Sequence, residues 1–385
     1  MNRIKHFAII LSRCLLKIIY ILPINDRKIF FTSYEGKQFS CNPKYVFLRL
    51  ADNSNIKLIY EYNKTNSVPD ELKRSNVSIV KHNSIKYFVE LLTSKVIVTN
   101  SGITAKIPLR IEQVMINTWH AGGAYKKVGK DIRSEVNGSD AFFIDIATKQ
   151  TSYFLTSSKG FSNGTAKAID MPECKLLRCG MPRNDLIVVP NESYNVAINE
   201  KVKTALNIAH DAHFVIYAPT FRKNDTSDSF EPISEKSVVE ALQTRFGGEW
   251  VFVYRGHYHG TDNNHFCIDA TYYPDMQELL IASDALITDY SSTVWDYSFT
   301  NKPGFLYTPD LSEYKSERDF YCPISEWPYP ISEDNASLVN NILAFDQSRQ
   351  KKMNEAHHKQ LGSYEDGHGT DTVVQLVAAS MKMKV

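Results

Sequence analysis

Short apolar runs alternate with amphipathic stretches along almost the whole chain. Lys28-Ile-Phe-Phe-Thr32 predicts a strand, Lys44–Leu50 a helix and Ile56-Lys-Leu-Ile-Tyr60 a second strand. Ser84–Thr93 predicts a helix, followed by strands at Val96-Ile-Val-Thr99 and Val114-Met-Ile-Asn-Thr118. The rhythm restarts further on. Helices are expected at Lys201–Leu206, Ser237–Phe246 and Met276–Ala282, with strands at His213-Phe-Val-Ile-Tyr217, Trp250-Val-Phe-Val-Tyr254, Ala285-Leu-Ile-Thr288 and Gly304-Phe-Leu-Tyr307. Continuous apolar strands separated by helices mean parallel sheets covered on both faces. Val188-Val-Pro-Asn-Glu-Ser-Tyr-Asn195, rich in turn formers, reads as a linker. The expected architecture is α/β: two doubly wound, Rossmann-like parallel-sheet domains, 27–190 and 191–369, facing a cleft. A last helix, Thr370–Met383 within 370–385, is expected to cross back and brace the first half. Ligands in such sheets sit outside the carboxyl ends of the strands.

The N-terminus, Met1 to Lys28, with a helix expected over residues 1–26, follows a different pattern. Arg3, Lys5, Arg13, Lys17, Arg27 and Lys28 stand against Asp26 alone, with apolar residues between them. His6, Arg13 and Lys17 share one helical stripe. A central Arg or Lys costs a bilayer span about 3 kcal/mol each, and no small-residue cleavage site follows. Two readings stay open: an amphipathic helix lying on an anionic membrane surface with its cations toward the headgroups, or a helix packed on its own domain or on a partner.

Composition narrows the function. The 385 residues carry 44 Lys plus Arg against 43 Asp plus Glu, a net charge of +1, which argues against general nucleic-acid binding. At 43% hydrophobic residues the chain can bury large cores. Six cysteines without a C-x-x-C motif read as reduced thiols.

Four polar clusters fall at predicted strand ends. In Thr288-Asp-Tyr-Ser-Ser-Thr293, Ser291 or Ser292 would cap a helix, and its N-terminus would suit an anion; plain capping is the alternative. Asp289, set at a sheet end, needs a cationic or hydroxyl partner. In Asn117-Thr-Trp-His-Ala-Gly-Gly-Ala-Tyr-Lys-Lys127, His120 is suited to take a proton near neutral pH, with a packing or hydrogen-bonding histidine as the alternative. Gly122 and Gly123 allow close backbone approach to a ligand, and Lys126 and Lys127 add charge for phosphate. After Trp250–Tyr254 come Arg255, His257 and His259. Phosphate contact by Arg255 and His257 fits better than a metal site using His257, His259, His265 and Cys267, which lack zinc spacing. In Tyr217-Ala-Pro-Thr-Phe-Arg222, Thr220 and Arg222 suit an anion, with Arg222 as a plain surface charge the alternative.

Taken together, these segments resemble the CDP-glycerol glycerophosphotransferase family of teichoic-acid primases and polymerases and their capsule-making relatives. The landmarks, spanning about Lys28 to Val377, are Ser33-Tyr-Glu-Gly-Lys37 with Asn42-Pro-Lys44, Thr118–Lys127, Gly180-Met-Pro-Arg-Asn-Asp185, Tyr217–Arg222 and His257. Glu278-Leu-Leu, Ile287–Ser292, Lys302-Pro303, Asp310–Phe320 with Tyr314 and Arg318, and Asp366-Gly367 complete them. The family's usual Trp-His-Gly-Thr-Pro stands here as Trp119-His-Ala-Gly-Gly123, and its His-Pro as His257-Tyr258.

The resemblance implies a GT-B fold, a donor nucleotide held mainly by the C-terminal half, and peripheral attachment to the cytoplasmic face of the bacterial cell membrane. It implies transfer of glycerol phosphate from CDP-glycerol to a hydroxyl of a lipid-linked or polymeric saccharide, releasing CMP. His120 would be the general base, and His257 would hold or protonate phosphate at the leaving CMP. Thr220, Arg222, Arg255, Ser291, Ser292 and Arg318 would bind the donor phosphates, with Asp289 organising the loop and Gly122, Gly123, Lys126 and Lys127 on the acceptor side. No tightly bound cofactor or metal is expected, Mg²⁺ being at most a stimulant. The rival readings are a CDP-ribitol ribitolphosphotransferase, a GT-B nucleotide-sugar glycosyltransferase, and a non-catalytic membrane-surface scaffold.

Overall fold

A computed structural model of the chain describes residues 2–64, 67–132, 138–220, 231–256, 267–317 and 319–383. The chain divides into two compact units. Met1–His120, Val128–Asp185 and Tyr364–Val385 form the first; Ala121–Lys127 and Leu186–Ser363 form the second.

The first unit is built on a parallel sheet of seven strands among the described residues: β1 (Asn25–Thr32), β2 (Lys57–Glu61), β3 (Val77–Val80), β4 (Ser94–Thr99), β5 (Val114–Asn117), β6 (Tyr153–Thr156) and β7 (Leu176–Arg178). Their order is β3-β2-β1-β4-β5-β6-β7. Two-residue periodicity sends alternate side chains of β1 to opposite faces. Ile29 and Phe31 join Val46, Phe47, Leu58 and Tyr60 on one face, whereas Phe30 joins Ile59, Tyr87 and Leu91 on the other. The helix Gly369–Ser380 places Val373, Val374 and Val377 in the Ile29 cluster, so the C-terminus completes the first unit's core.

The second unit has six parallel strands among the described residues: β8 (His213–Ala218), β9 (Trp250–Tyr254), β10 (Ile268–Asp269), β11 (Ala285–Thr288), β12 (Gly304–Tyr307) and β13 (Ile331–Ser332), ordered β10-β9-β8-β11-β12-β13. The predicted linker is mostly helix. Asn191 accepts a hydrogen bond from the Tyr194 amide and caps a helix that runs Glu192–Leu206. Pro190 and Asn191 are therefore helix-start signals rather than linker composition. Strands β3, β6 and β7, the helix Gly138–Gln150 and the short strands β10 and β13 lie where no element was predicted.

The N-terminal helix Asn2–Leu16 continues as a 3-10 turn, Lys17–Ile21, and docks on the first unit. Arg13 points inward. Its Nη1 donates to the carbonyls of Ala105 (2.8 Å) and Ile107 (3.1 Å) and to Gln150 Oε1 (2.8 Å). Ile9 is buried, Tyr20 donates to the Pro108 carbonyl, and Arg110 lies over the Tyr20 ring at 4.5 Å. The expected outward stripe of cations thus fails at Arg13, because unpaired loop carbonyls nearby satisfy the guanidinium. Lys17 is exposed, and the His6 side chain lies outside those described. What faces outward is apolar: Phe7, Ile10, Leu11, Leu15, Ile18 and Ile21 are all exposed, Ile21 at 82%. Among the described residues no helix is long and apolar enough to cross a membrane.

Hydrogen bonds from a charged donor contribute roughly 1.5–3 kcal/mol each. Arg13→Ala should therefore loosen the N-terminal helix from the first unit. Limited chymotryptic cleavage at Phe7 should accelerate about tenfold or more, through local opening, while the main unfolding transition stays in place. An unchanged cleavage rate would show that Arg13 does not anchor the helix.

Candidate functional site

In the first unit the polar residues gather where β1, β4 and β5 end. Backbone in the left-handed region concentrates there: Tyr34 (φ 49), Glu35 (φ 55) and Gly36 (φ 75) after β1, and Trp119 (φ 53) after β5. For non-glycine residues this costs about 1–2 kcal/mol each, and it persists only where surrounding contacts enforce it. Those contacts are specific. Asn42 Nδ2 donates to the carbonyls of Thr118 (3.1 Å) and Trp119 (3.0 Å). Arg183 Nη1 donates to the carbonyl of His120 (2.7 Å), and the Arg183 amide donates to Asn42 Oδ1 (3.1 Å). Three consecutive carbonyls are thereby gripped by two buried side chains from distant segments.

The His120 ring is set from a third segment. Its Nδ1 lies 2.9 Å from the carbonyl oxygen of Asn100. A carbonyl only accepts, so this bond places the proton on Nδ1 and leaves the Nε2 lone pair as the basic position. The ring stacks on Trp119 (4.8 Å between centroids) and meets the edge of Tyr34 (5.8 Å). Asn100 Oδ1 also accepts from the Tyr34 amide (2.9 Å), tying the loop after β1 to the same hub. Burial holds the imidazole below its ordinary pKa; the Arg183 charge acts in the same direction and the Asn100 carbonyl opposes it.

In the second unit the short segment Ala121–Lys127 is held across its length. A Cβ on Gly122 would lie 2.1 Å from the Trp295 indole, and one on Gly123 (φ 77) would lie 2.4 Å from the Tyr125 ring. These glycines serve close packing on the unit's own aromatic side chains. The Tyr125 hydroxyl bonds His357 Nε2 at 2.8 Å, while His357 Nδ1 faces the Glu326 carbonyl at 3.1 Å. Burial drives the His357 pKa down to about 4, so the ring is neutral at pH 7. Lys127 donates its amide to the Asp319 carbonyl (3.0 Å) and pairs its ammonium with Asp319 Oδ2 (2.5 Å). The Tyr321 amide returns a bond to the Tyr125 carbonyl at 2.8 Å.

This anchoring delivers Lys126 to the ends of β8 and β11. Its Nζ donates to Thr220 Oγ1 at 3.1 Å. Thr220 donates its hydroxyl (2.7 Å) to the buried Asp289 carboxylate and its amide (2.9 Å) to both oxygens. Asp289 therefore fixes the turn after β8. Tyr290 stacks on Tyr314 at 3.8 Å and donates to Asp310. Ser291 and Ser292 are half-buried beside this turn. Ser291 Oγ contacts Thr293 Oγ1 and accepts weakly from the Thr293 amide (3.3 Å), while Ser292 makes no capping bond. The helix they open, Thr293–Ser298, has six residues, too short for a strong terminal dipole.

Thr220, Asp289, Ser291, Ser292 and Lys126 thus lie together, and His120, Gly122, Gly123 and Lys127 are placed as described. Arg255 follows β9 at the same strand ends: its amide donates to the Tyr217 carbonyl (2.8 Å), and its Nη1 donates to the carbonyls of Ala270 (2.5 Å) and Thr271 beside β10. Arg222, His257 and Arg318 lie outside the described residues, as do His259 and His265. Among the described residues no three His, Cys, Asp or Glu side chains gather as a metal-binding group. Cys174 and Cys179 are free thiols. A cavity of about 610 Å³ in the second unit, lined by residues such as Asn199, His210 and Lys302, lies toward the opposite strand ends from Asp289 and carries none of these side chains. Other landmarks hold the fold. Lys302 donates to the carbonyls of Ile281 and Ser283, buried Glu278 pairs with Lys201, and Asp185 receives the amides of Gly369 and Thr370.

The paired sheets and these strand-end clusters define a class. The sequence model of CDP-Glycerol:Poly(glycerophosphate) glycerophosphotransferases matches residues 14–379, and the chain belongs to that family. It is an enzyme of the glycerophosphotransferase type with a GT-B-like pair of α/β units. Among its relatives is the teichoic acid poly(glycerol phosphate) polymerase of Bacillus spizizenii, 29% identical over 93% of this chain and 94% of that protein. The teichoic acid glycerol-phosphate transferase of Staphylococcus aureus is 28% identical over 94% and 95%. The wall teichoic acid polymerase TagF superposes with a TM-score of 0.81 at 24% identity, covering 99% of this chain and 97% of that one.

Because Trp295 is fully buried, the indole has little freedom to yield at Gly122. Gly122→Ala should lower unfolding stability by about 1–3 kcal/mol, the usual range for overpacking, read by denaturant titration. Wild-type stability in the variant would show that the ring moves aside.

Proposed function

We propose that this chain transfers glycerol phosphate from CDP-glycerol to a hydroxyl of a lipid-linked or polymeric saccharide acceptor, releasing CMP. The observation that carries the reading is the His120 imidazole, whose tautomer the Asn100 carbonyl sets so that Nε2 is free to accept a proton. The acceptor hydroxyl oxygen attacks the phosphorus that bears glycerol, and its proton passes to Nε2. The bond from that phosphorus to the bridging oxygen breaks, and CMP leaves with the electron pair. His257 protonates or holds the departing phosphate. Thr220, Arg222, Ser291, Ser292 and Arg318 bind the donor phosphates, and Asp289 fixes the turn that carries Thr220. Positioning and charge stabilisation do most of the work in such transfers. Family membership and the TagF variant soaked with CDPG (TM-score 0.82, 25% identity) support the choice of donor. CDP-ribitol is the second candidate, supported by the teichoic acid ribitol-phosphate primase of Bacillus spizizenii, 28% identical over 93% of this chain. The chain works at the cytoplasmic face of the cell membrane, held by the exposed apolar side of the N-terminal helix.

Four outcomes test this. CDP-glycerol should raise the thermal midpoint more than CDP-ribitol or UDP-sugars at equal concentration, since a ligand that binds the native state stabilises it; a larger shift with CDP-ribitol would exchange the donor. His120→Ala should lower kcat by about 10²–10⁴, the usual contribution of a general base. In the wild type, the depressed imidazole pKa keeps His120 unprotonated as pH falls, so the acid limb of kcat/KM should lie below about 6.5, the ordinary histidine value. Near-normal CMP release by His120→Ala would remove its role. Replacing Phe7, Ile10, Leu15 and Ile18 with Ser should abolish flotation with anionic liposomes; persistent flotation would place the membrane contact elsewhere.

A further inference from the structure

Reading Lys126 from its sequence neighbourhood joins it to His120 and the acceptor. Its placement says otherwise. The segment Ala121–Lys127 belongs wholly to the second unit, where backbone bonds to Asp319 and Tyr321, the Lys127–Asp319 ion pair and the Tyr125–His357 bond fix it. An isolated antiparallel bridge between Lys126 and Phe320 sets the backbone of Lys126 itself. The side chain then runs to the carboxyl ends of β8 and β11, the position at which doubly wound sheets bind ligands.

The hydrogen bonds there are ordered. The Thr220 hydroxyl donates to Asp289, so the Thr220 oxygen turns its lone pairs to the Lys126 ammonium. The same ammonium lies 5.7 Å from the centroid of the Tyr314 ring, whose face favours a cation, and Tyr314 is fixed by its stack on Tyr290. A hydroxyl and an aromatic face thus position a flexible lysine at the turn that Asp289 and Thr220 form.

Given the CDP-donor transfer proposed above, we infer that Lys126 is a donor-binding residue: its ammonium contacts the diphosphate of the nucleotide donor, as a point charge against phosphate oxygens. Lysine suits that role because its compact charge neutralises a diphosphate without demanding bidentate geometry. The donor site of the second unit then includes a residue from the loop that begins at His120.

The test is calorimetric titration of CDP-glycerol into the full chain without acceptor. Lys126→Gln should weaken donor binding at least tenfold, and Lys126→Arg should stay within about fivefold of wild type. CDP should lose more affinity than CMP in the Gln variant. Wild-type donor affinity in Lys126→Gln, with only the acceptor KM raised, would return Lys126 to the acceptor side and overturn the inference. A wild type that takes up CDP but not CDP-glycerol would overturn the donor reading while leaving Lys126 to be judged on CDP. Labelling of the wild type with acetic anhydride does not depend on folding of a variant. CDP should protect Lys126 several-fold and leave Lys130, in the first unit, unprotected; equal labelling of Lys126 with and without CDP would also overturn the inference.

Discussion

The grip of Asn42 and Arg183 on the carbonyls of Thr118, Trp119 and His120 is the constraint on which the first unit's polar site depends. A strand that ends at a site leaves backbone groups without ladder partners, and a left-handed residue such as Trp119 adds cost. Two buried side chains supply both the missing partners and the enforcement. With the backbone held, the ring of His120 has one place to go, between Trp119, Tyr34 and the Asn100 carbonyl. The chemistry assigned to His120 is thus a property of three sequence-distant segments.

The second unit solves the related problem of holding polar groups at a strand end by a different route. Asp289 is buried at the end of β11, and Thr220 at the end of β8 supplies three of its hydrogen bonds. A buried carboxylate without such partners would be costly. Here it turns into an organiser that sets the direction of the Thr220 hydroxyl, which in turn receives Lys126. Tyr125 and His357 play a supporting part: a neutral, buried imidazole accepts from the phenol while its other nitrogen faces a carbonyl, and the loop gains a rigid foot.

Much of the architecture was legible because buried parallel strands are nearly continuous apolar runs. Trp250–Tyr254, Ala285–Thr288 and Gly304–Tyr307 fall where their side chains predict. Strands β3 and β7, at the two edges of the sheet, were not legible: short and partly polar or exposed, they lack the apolar contrast that marks the central ones, whereas β6 was missed although it is apolar and buried. Around Asn191 the local signal was ambiguous, since residues that cap helices are also those that make turns. At the site, His120 and Asp289 stood out by chemical type. Asn100 did not, because its main contribution is a backbone carbonyl that any residue could carry. Asn42 and Arg183 were visible only as motif members, and nothing in the sequence shows that both reach the strand end after β5. Lys126 was grouped with His120 by proximity in sequence; the backbone pairing of its loop with Asp319–Tyr321, almost two hundred positions later, is what the linear order hides.

The threading of the chain has an evolutionary corollary. Neither unit is a continuous stretch: the first is assembled from three pieces and the second from two. A recombination event that imported one unit whole would have to exchange several separate stretches of gene at once. Diversification of substrate choice in such a protein is therefore easier by substitution within loops than by trading modules.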